Sequence, residues 1–476
     1  MPSDWRRSRD RFSQAWCCPS GILCRMSNAS PPRALLRLMH VIYTAVMYVL
    51  TPLILYRLAA RGLRMRGYFA RWMERFGAFD DPHIKDSIWI HAVSVGEVNA
   101  AAPLIEALRA RYPDHPFVVT TVTPTGSDRV RQLWKDRVVH VYLPYDLPRS
   151  INRFLDKIQP RIAVVMETEI WPNLFRLCAA RSIPVVVANA RLSDKSLRGY
   201  GPVRPLAAEA IRSARFVAAQ SPQDAERLLA LGAQPARLRV VGNLKFDMQV
   251  NPDFFSQAQI WRKAWGERRP VWIAASTHEG EELAVIEAHS RLLHRFPDAL
   301  LLVAPRHPER FKPMVALCRS FGFATRTRSE DGHADEDTQC FVIDTLGELV
   351  RFIAAADIAF VAGSLEPIGG HNVLEPAALG VPVIVGPHTF NFEEVTDLLL
   401  DRGAAERIRD SEHLADVLQL LLGDTLRREQ MGEAGCRTVA RERGAVERTL
   451  EIIGRVLRDE NEPGADASDA RPVVVD

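Results

Sequence analysis

The sequence has little of what marks several common classes of protein. Its 476 residues contain only seven cysteines, with no CxxC pair and no histidine at the spacing of a zinc site. The formal net charge is only +3, which does not support nucleic-acid binding driven by overall charge. The GxGxxG fingerprint of dinucleotide-binding dehydrogenases is also missing. We therefore expect reduced structural thiols and no nucleic-acid partner, and a dehydrogenase is disfavoured.

What is present is the composition of a globular protein, 47% hydrophobic and 25% charged, with a length that predicts two or three domains. Residues 1–34 have no sustained periodic apolar pattern, so we interpret them as a disordered extension and Met26 as an alternative start. Residues 460–476 are mostly polar and are interpreted as a disordered tail.

One long uncharged run lies near the N-terminus. Residues 38–56, "LMHVIYTAVMYVLTPLILY", contain no Asp, Glu, Lys or Arg and approach the length of roughly 20 residues that crosses a bilayer as a helix. More arginines follow the run than precede it, which predicts a single-pass anchor with the following chain in the cytoplasm. The segment 35–78 is thus predicted to be an anchor and a basic helix resting on anionic lipids, with one face formed by Arg57, Arg61, Arg64, Arg71 and Arg75. A buried amphipathic helix with a solvated arginine face is the alternative.

From residue 87 onward, short apolar runs alternate with amphipathic stretches. The runs are "SIWIHAV", "PFVVTTVT", "VVHVYLP", "RIAVVME", "IPVVVANA", "RFVAAQ" and "LRVVGN", followed later by "VWIAAS", "ALLLVAP", "FVID", "IAFVAGS" and "VPVIVGP". Apolar strands joined by helices predict parallel sheets covered on both faces. The rhythm breaks over 244–270, which predicts a linker between two doubly wound α/β domains, 79–243 and 271–459. We expect ligands to bind at the carboxyl ends of the strands, in the cleft between the domains.

Glu97, in "HAVSVGEV", lies where the first strand is predicted to turn into a helix. The positive end of the helix favours an ionised carboxylate, whereas burial raises its pKa and makes it a better general base. A carboxylate at this position also caps helices. Position and composition leave both interpretations open.

Other charged residues also follow predicted strands. Glu167 and Glu169, in "VVMETEIWPNLF", precede an aromatic residue, although Pro172 also suits a plain helix start. Arg306, in "LLVAPRHPERF", offers a planar set of donors to a phosphate or a carboxylate. Pairing with a neighbouring acid is the alternative for Arg306.

A glycine-rich segment, "IAFVAGSLEPIGGHNVLEPAALGVPVIVGP", carries the most information. Gly369 and Gly370 let a ligand approach the backbone closely, and Asn372 and Glu375 lie within one turn of the next helix. Backbone N–H groups there suit phosphate oxygens, and the carboxylate suits the two hydroxyls of a ribose. Histidines 278, 307, 371 and 388 are dispersed in the sequence, so we expect no metal site.

In their order and spacing these motifs resemble the bacterial 3-deoxy-D-manno-octulosonic acid (Kdo) transferases, which glycosylate the lipid A precursor. The resemblance covers roughly residues 35–455 and rests on "HAVSVGEV", "METEIWPN", "NARLSDKS", "GNLKFD", "PRHPERF", "TLGEL" and "GGHNVLEPAALGVPVIVGP". It implies an α/β GT-B fold, in which two Rossmann-like doubly wound domains face a central cleft, with an N-terminal membrane-anchor helix. The glycine-rich segment alone is less specific, because related sugar-nucleotide transferases carry similar patterns.

The resemblance also implies an inverting transfer of Kdo from CMP-Kdo to lipid IVA at the cytoplasmic face of the inner membrane, in lipopolysaccharide synthesis. It implies no cofactor and no metal, since CMP-Kdo is a co-substrate. Glu97 is similar to the family's general base, and Glu167 and Lys245 are similar to residues that support the transition state. The positions similar to the CMP-binding residues of the family are Pro305, Arg306, Leu346, Gly347, Glu348, Asn372, Val373, Leu374 and Glu375.

Two alternatives remain beside this interpretation. One is a GT-B glycosyltransferase that uses a UDP-sugar on a membrane lipid, and a preference for CMP over UDP in binding would argue against it. The other is a membrane-tethered sugar-nucleotide sensor, which predicts that Glu97→Gln leaves function intact.

Overall fold

The structure is a computed structural model, and it describes residues 32–64, 66–248 and 250–458. Of the predicted extension 1–34, only residues 32–34 are described. The alternative start at Met26 and the predicted tail 460–476 lie outside the described residues.

Two seven-stranded sheets, each entirely parallel in its pairings, form the framework of the described residues. The first has the order β3-β2-β1-β4-β5-β6-β7 and consists of β1 Ser87–His91, β2 Phe117–Thr121, β3 Val139–Tyr142, β4 Pro160–Met166, β5 Val185–Ala190, β6 Phe216–Ala219 and β7 Leu238–Val240. The second has the order β10-β11-β9-β8-β12-β13-β14 and consists of β8 Val271–Thr277, β9 Leu300–Pro305, β10 Thr325–Thr327, β11 Cys340–Val342, β12 Ile358–Val361, β13 Val383–Val385 and β14 Ala405–Arg407.

Helices connect the strands and cover both faces of each sheet. The helices of the first half are α1 Arg33–Arg64, α2 Val95–Arg111, α3 Pro124–Trp134, α4 Pro148–Ile158, α5 Pro172–Ala180, α6 Asp194–Gly199, α7 Arg204–Ser213, α8 Pro222–Leu231 and α9 Asp253–Trp265. Those of the second half are α10 Glu279–Leu293, α11 Phe311–Ser320, α12 Arg328–Asp331, α13 Leu349–Ala354, α14 Leu374–Ala378, α15 Glu393–Asp401, α16 Ser411–Gly423, α17 Thr425–Glu442 and α18 Ala445–Leu457. Proline at the first turn begins several of them, since its missing N–H has no partner there in any helix.

The predicted fold class is confirmed, because the apolar runs form strands buried on both faces. Every residue of β1, β2, β5 and β9 is buried. The twelve apolar runs correspond to β1–β9 and β11–β13. The strands missing from the prediction, β10 and β14, are three-residue strands at the two edges of the second sheet, where little apolar surface is needed.

Two helices depart from the predicted division of the chain into two domains and a linker. α9 falls within the predicted linker 244–270, yet Trp261 and Trp265 pack in the core of the second domain. α18 follows the whole second domain, but it returns to the first, where Leu450 and Ile453 join the core formed with α2 and β4. The chain therefore crosses between the domains twice.

The predicted apolar span 38–56 lies within α1, which by length and composition is able to cross a membrane. The predicted arginine face is wrong for Arg71 and Arg75, because the chain leaves the helix after Arg64. Arg71 has a left-handed φ of 55°. Arg75 is buried, donates to the Val122 carbonyl at 2.7 Å and stacks over an aromatic ring.

Candidate active site

Both sheets reverse their direction of winding at their centres. In the first sheet the chain runs from β1 outward to β3 and restarts at β4, the other neighbour of β1; β8 and β12 meet in the same way in the second. Doubly wound sheets bind ligands beyond the carboxyl ends of the strands at such switch points. A cleft of about 1570 Å³ lies between the domains and is lined from both points, by Glu97 after β1, Glu167 after β4, Ser276 in β8 and residues 370–372 after β12.

Glu97 lies in the first turn of α2 and is 9% exposed. It forms a capping box, in which Oε2 accepts the Val93 N–H at 2.8 Å, Oε1 accepts the Ser94 hydroxyl at 3.2 Å, and the Glu97 N–H donates to Ser94 Oγ at 3.5 Å. Burial, reinforced by the charge of Glu167, raises the pKa of Glu97 to about 7. The carboxylate therefore both caps the helix and lines the cleft, with a proton affinity suited to a base near neutral pH.

Two further carboxylates line the same wall of the cleft. Glu167 follows β4 with a left-handed φ of 55°, an uncommon conformation for a residue that carries a side chain. Glu169 accepts a hydrogen bond from Trp171 Nε1 at 3.1 Å, and burial raises its pKa. This wall thus concentrates negative charge, which suits a substrate that develops positive charge during reaction.

Positive charge reaches the cleft from both domains. Lys245 follows β7 and Arg306 follows β9, and both line the cleft. The Lys245 Nζ lies 5.3 Å from the centre of the Phe392 ring, so the first domain contacts the second here.

Two arginines that line the cleft were not among the predicted site residues: Arg129 on α3 and Arg191 after β5. Burial lowers the pKa of Arg129, and the charge of Glu375 across the cleft partly opposes that effect. Arg191 directly follows β5, in "VVVANARL", so the strand-end rule that selected Arg306 could have selected it as well. Arg129 lies inside α3, and no strand-end signal marks it.

The opposite wall is formed by the segment that joins β12 to α14. Gly370, Asn372 and Glu375 line the cleft, and the Asn372 side-chain amide donates to Glu375 Oε1 at 3.0 Å. Burial raises the pKa of Glu375. This wall presents an open backbone beside a carboxylate and an amide, a combination suited to the hydroxyls and the phosphate of a nucleotide.

Glu281 holds the start of this segment from behind. Its side chain is fully buried in α10 and accepts the N–H groups of Gly363 at 2.6 Å, Ser364 at 2.9 Å and Leu365 at 2.7 Å. Glu281 lies in "ASTHEGEE", another junction of strand and helix, but was not among the predicted site residues.

The structure brings three dispersed histidines together. His278 Nε2 and His371 Nε2 lie 2.8 Å apart, and the ring of His307 lies 5.3 Å from that of His278. Burial, followed by the charge of His278, lowers the pKa of His371 to about 4. Within the described ranges, no group of three or more His, Cys, Asp or Glu side chains is arranged to hold a metal ion. The single Asp-x-Asp triplet, 335–337, does not line the cleft.

The remaining predicted site residues do not line the cleft: Pro305, Leu346, Gly347, Glu348, Val373 and Leu374. Val373 and Leu374 pack in the hydrophobic core with 1% exposure each. The Glu348 carboxylate forms a bidentate pair with Arg328 at 2.8 and 3.0 Å. Pro305, Glu348, Val373 and Leu374 each adjoin a cleft residue in sequence, whereas Leu346 and Gly347 lie three and two residues before Leu349 in an exposed bend.

Comparison with known proteins decides the family. The profile described as 3-Deoxy-D-manno-octulosonic-acid transferase (kdotransferase) matches residues 70–248, and that of Glycosyl transferases group 1 matches residues 330–438. The chain is similar to the 3-deoxy-D-manno-octulosonic acid transferase of Haemophilus influenzae, with 40% identity over 86% of this chain and 97% of the relative. This chain belongs to the Kdo transferase family. The homologous enzyme of Bordetella pertussis is 37% identical over 87% of this chain and 98% of its own length.

As a Kdo transferase, the protein is a glycosyltransferase of the GT-B fold. A glycosyltransferase from Rickettsia africae ESF-5 has a similar fold, with a TM-score of 0.52 and 15% identity over 79% of this chain and 99% of that chain. The fold and the family predicted from the motifs are thereby confirmed.

Proposed function

We propose that this Kdo transferase moves Kdo from CMP-Kdo to a hydroxyl of lipid IVA, with inversion at the anomeric carbon and with Glu97 as the general base. The observation that carries the proposal is the Glu97 carboxylate at the cleft, with a pKa raised to about 7. Among the described residues it has no salt bridge that would hold it permanently ionised.

The transfer needs a base on the acceptor side. The acceptor oxygen forms a bond to the anomeric carbon of Kdo while its proton passes to the Glu97 carboxylate, and the bond from that carbon to the phosphate breaks, so that CMP leaves with the electron pair. The anomeric carbon gains positive charge on the way, and the carboxylate of Glu167 supports that charge. The capping bonds to Val93 and Ser94 hold the base in one orientation throughout.

On the donor side, we assign the CMP phosphate to Arg306 and Lys245, and the ribose to Glu375 with Asn372. Arg306 offers a planar set of donors, and Lys245 extends from the opposite domain. One bridging phosphate is a smaller charge than a pyrophosphate, so two cations are enough without a divalent ion. The reaction then needs no cofactor, since CMP-Kdo is a co-substrate.

Lipid IVA is an amphiphile with phosphates, so the enzyme has to work at the membrane. We assign the protein to the cytoplasmic face of the inner membrane, held there by α1 and by the attraction of its arginines to anionic lipids. The effective concentration of the acceptor at the cleft is raised in this way.

Product mass tests the proposal. The purified protein is incubated with lipid IVA and a CMP-Kdo-generating system, with and without EDTA. The molecular mass of the lipid product is then measured. We expect the mass of one or more Kdo residues to be added in both conditions, and the increment gives their number. No increment under conditions that support a known Kdo transferase refutes the assignment, and loss of the product with EDTA alone refutes the metal-free mechanism. Tighter binding of UDP than of CMP in calorimetry would favour a UDP-sugar donor instead.

A further inference from the structure

The half-buried and buried positions of α1 form one stripe along its entire length. They recur at intervals of three and four residues, as expected for one face of a helix: Leu36, Met39, His40, Tyr43, Thr44, Met47, Thr51, Ile54, Leu55, Leu58 and Gly62. The stripe gives the direction of the face that α1 turns towards the protein, and its contacts with α5, α7 and the segment after the helix give its position.

The N-terminal half of α1 contacts the first domain directly. His40 Nε2 lies 2.8 Å from Glu209 Oε2 on α7, the Tyr43 hydroxyl donates to Asp146 Oδ2 at 2.9 Å, and the Thr44 hydroxyl donates to Asn173 Oδ1 at 3.1 Å. Three polar contacts within five residues fix this part of the helix to α5, to α7 and to the segment between β3 and α4.

The C-terminal half of α1 is fixed through the segment that follows it. Phe69 packs against Gly62, where an added Cβ would lie 2.5 Å from the ring. In the same segment Glu74 accepts the Tyr142 N–H at 2.9 Å, in the first sheet. From Tyr43 to Gly62 the helix rises about 28 Å, which is nearly the roughly 30 Å of a bilayer core. One domain therefore holds α1 at points that a spanning helix would place near opposite surfaces of the membrane.

The opposite face of α1 is apolar and has no protein partner among the described residues. Its exposed side chains are Leu35, Leu38, Val41, Ile42, Val46, Tyr48, Val49, Leu50, Leu53, Tyr56 and Leu63. Arginines lie at both ends, Arg33 and Arg37 at one and Arg57 and Arg61 at the other. At the first end a groove of about 910 Å³ opens between α1 and the domain. Three arginines line it, with apolar side chains and three further polar residues, of which Glu209 pairs with His40: Arg33, Arg37, Arg176, His40, Thr44 and Glu209. An arginine-flanked apolar surface of this kind complements an anionic phospholipid, which has a charged headgroup above acyl chains.

We infer that α1 does not cross the bilayer but lies in the plane of a single leaflet of anionic lipid, alongside the first domain, with both of its ends on the cytoplasmic side. The exposed apolar face enters the acyl layer, and the arginines meet the headgroups. A spanning helix would have to break the contacts of His40, Tyr43 and Thr44 or carry Asp146 and Glu209 into hydrocarbon, which costs far more than exposure at the interface. The inference rests on the membrane association proposed above and not on the reaction.

The sidedness of residue 33 tests this inference. Cys17, Cys18 and Cys24 are replaced by serine, which leaves three buried cysteines and the exposed Cys436 as a marker of the catalytic domain. Arg33→Cys is added to this background, with Arg61→Cys as the matched control, since both topologies place position 61 with the domain. A membrane-impermeant maleimide is applied to intact spheroplasts and to inverted vesicles.

We expect the thiol at position 33 to be labelled in inverted vesicles but not in intact spheroplasts. Cys436 should show the same pattern. Labelling from the outside of spheroplasts, or only after detergent, overturns the inference. Recovery of the protein in the soluble fraction overturns the membrane association itself, whereas a failed transfer assay with unchanged sidedness contradicts only the proposed reaction.

A cross-link in native membranes provides the second readout. Arg37→Cys and Arg176→Cys are both exposed and line the same groove, so a flexible bismaleimide should join them within one chain. The pair Arg37→Cys and Arg455→Cys, on α18, is the matched control and should not be joined. A missing link between 37 and 176, with both thiols reactive, shows that α1 has left the domain. A dimer-sized product shows that a second copy, and not lipid, covers this face; either result contradicts the inference.

Discussion

Glu97 has structural features of both interpretations that the sequence left open, since it caps α2 and also lines the cleft. Both of its oxygens accept capping hydrogen bonds, from Val93 and Ser94, and the same carboxylate lines the cleft. Capping fixes the direction of the carboxylate, while burial and the neighbouring Glu167 keep its pKa near 7. The cap is thus part of what makes the group suitable as a base.

Replacing Glu97 by glutamine should separate the two roles. The amide of the new side chain would keep an oxygen for the Val93 N–H and so preserve the capping box, but it cannot take up a proton. We expect kcat to fall about 10²–10⁴-fold, the usual contribution of a positioned base, with CMP binding retained. Steady-state kinetics and calorimetry measure the two effects. Full activity in the variant would favour a sensor without catalysis.

The rate should follow the ionisation of Glu97. Because a base acts in its deprotonated form, kcat/KM should be constant above about pH 7. Below that pH it should decrease, with a limiting slope of about tenfold per pH unit. A pH profile between 5.5 and 8.5 measures this, and the residual activity of Glu97→Gln should lack the acidic limb. A wild-type profile that stays flat down to pH 5.5 would contradict the assignment.

Glu97 should also cost stability at neutral pH. Its folded pKa, about 7, lies above its ordinary value of 4.5, so the folded state favours the protonated form and loses stability as pH rises from 4.5 through 7. At pH 8 Glu97→Gln should therefore be more stable than the wild type by about 3 kcal/mol, and near pH 4 almost equal to it. Urea unfolding at both pH values measures the difference. Equal stability of the wild type and Glu97→Gln at pH 8 would show that burial of the ionised carboxylate does not destabilise the folded protein.

At the scale of elements, the wall of the cleft that we assign to the donor depends on a carboxylate behind it. Glu281, in the first turn of α10, is the common acceptor of three N–H groups where β12 ends. The segment continues to Gly370 and Asn372 at the cleft. A displacement of α10 would thus be transmitted to the proposed nucleotide site.

Removing that acceptor should destabilise the fold and the donor site together. Glu281→Ala leaves two buried N–H groups and one half-buried N–H group without their acceptor. We therefore expect the free energy of unfolding to fall by about 3 kcal/mol and the KM for the donor to rise. Urea unfolding and kinetics measure both. Glu279→Ala is the matched control from the same turn: its carboxylate is 80% exposed and pairs with Arg310, so a change below about 1 kcal/mol is expected. Equal effects of the two substitutions would contradict the role of Glu281.

At the scale of the whole molecule, α18 joins the end of the chain to the first domain. Ile453 is fully buried in the core shared with α2 and β4. The two domains are therefore connected by the crossing after β7 and by this returning helix, which restrains the cleft between them.

A cavity in α18 should weaken the first domain although the helix follows the second. Ile453→Ala removes a buried side chain, and we expect a loss of about 2–5 kcal/mol in the free energy of unfolding. Hydrogen exchange should report faster exchange in β4 and α2 than in β8 and β12. The exposed neighbour Glu451→Ala should leave both quantities almost unchanged. Faster exchange confined to the second domain would contradict this packing.

Strand positions and the strand-end location of functional residues were predictable because apolar runs and junction residues are local signals. Glu97, Glu167, Lys245, Arg306 and Glu375 were selected on that basis or by resemblance, and all line the cleft. Glu281 was beyond reach, since its three partners lie more than 80 residues away in sequence. The grouping of His278 with His371 depends on the same long-range packing.

The sequence by itself determined the parallel α/β class, the family and most of the acids and cations at strand ends. These features follow from hydrophobic periodicity and motif spacing, which are properties of the linear sequence. Only the tertiary structure decided the order of the strands, which makes β1 and β4 neighbours and brings Glu97 beside Glu167. It also decided the return of α18 and the docking of α1. These features come from packing between segments distant in sequence, where many arrangements satisfy the same local pattern and the buried contacts select one.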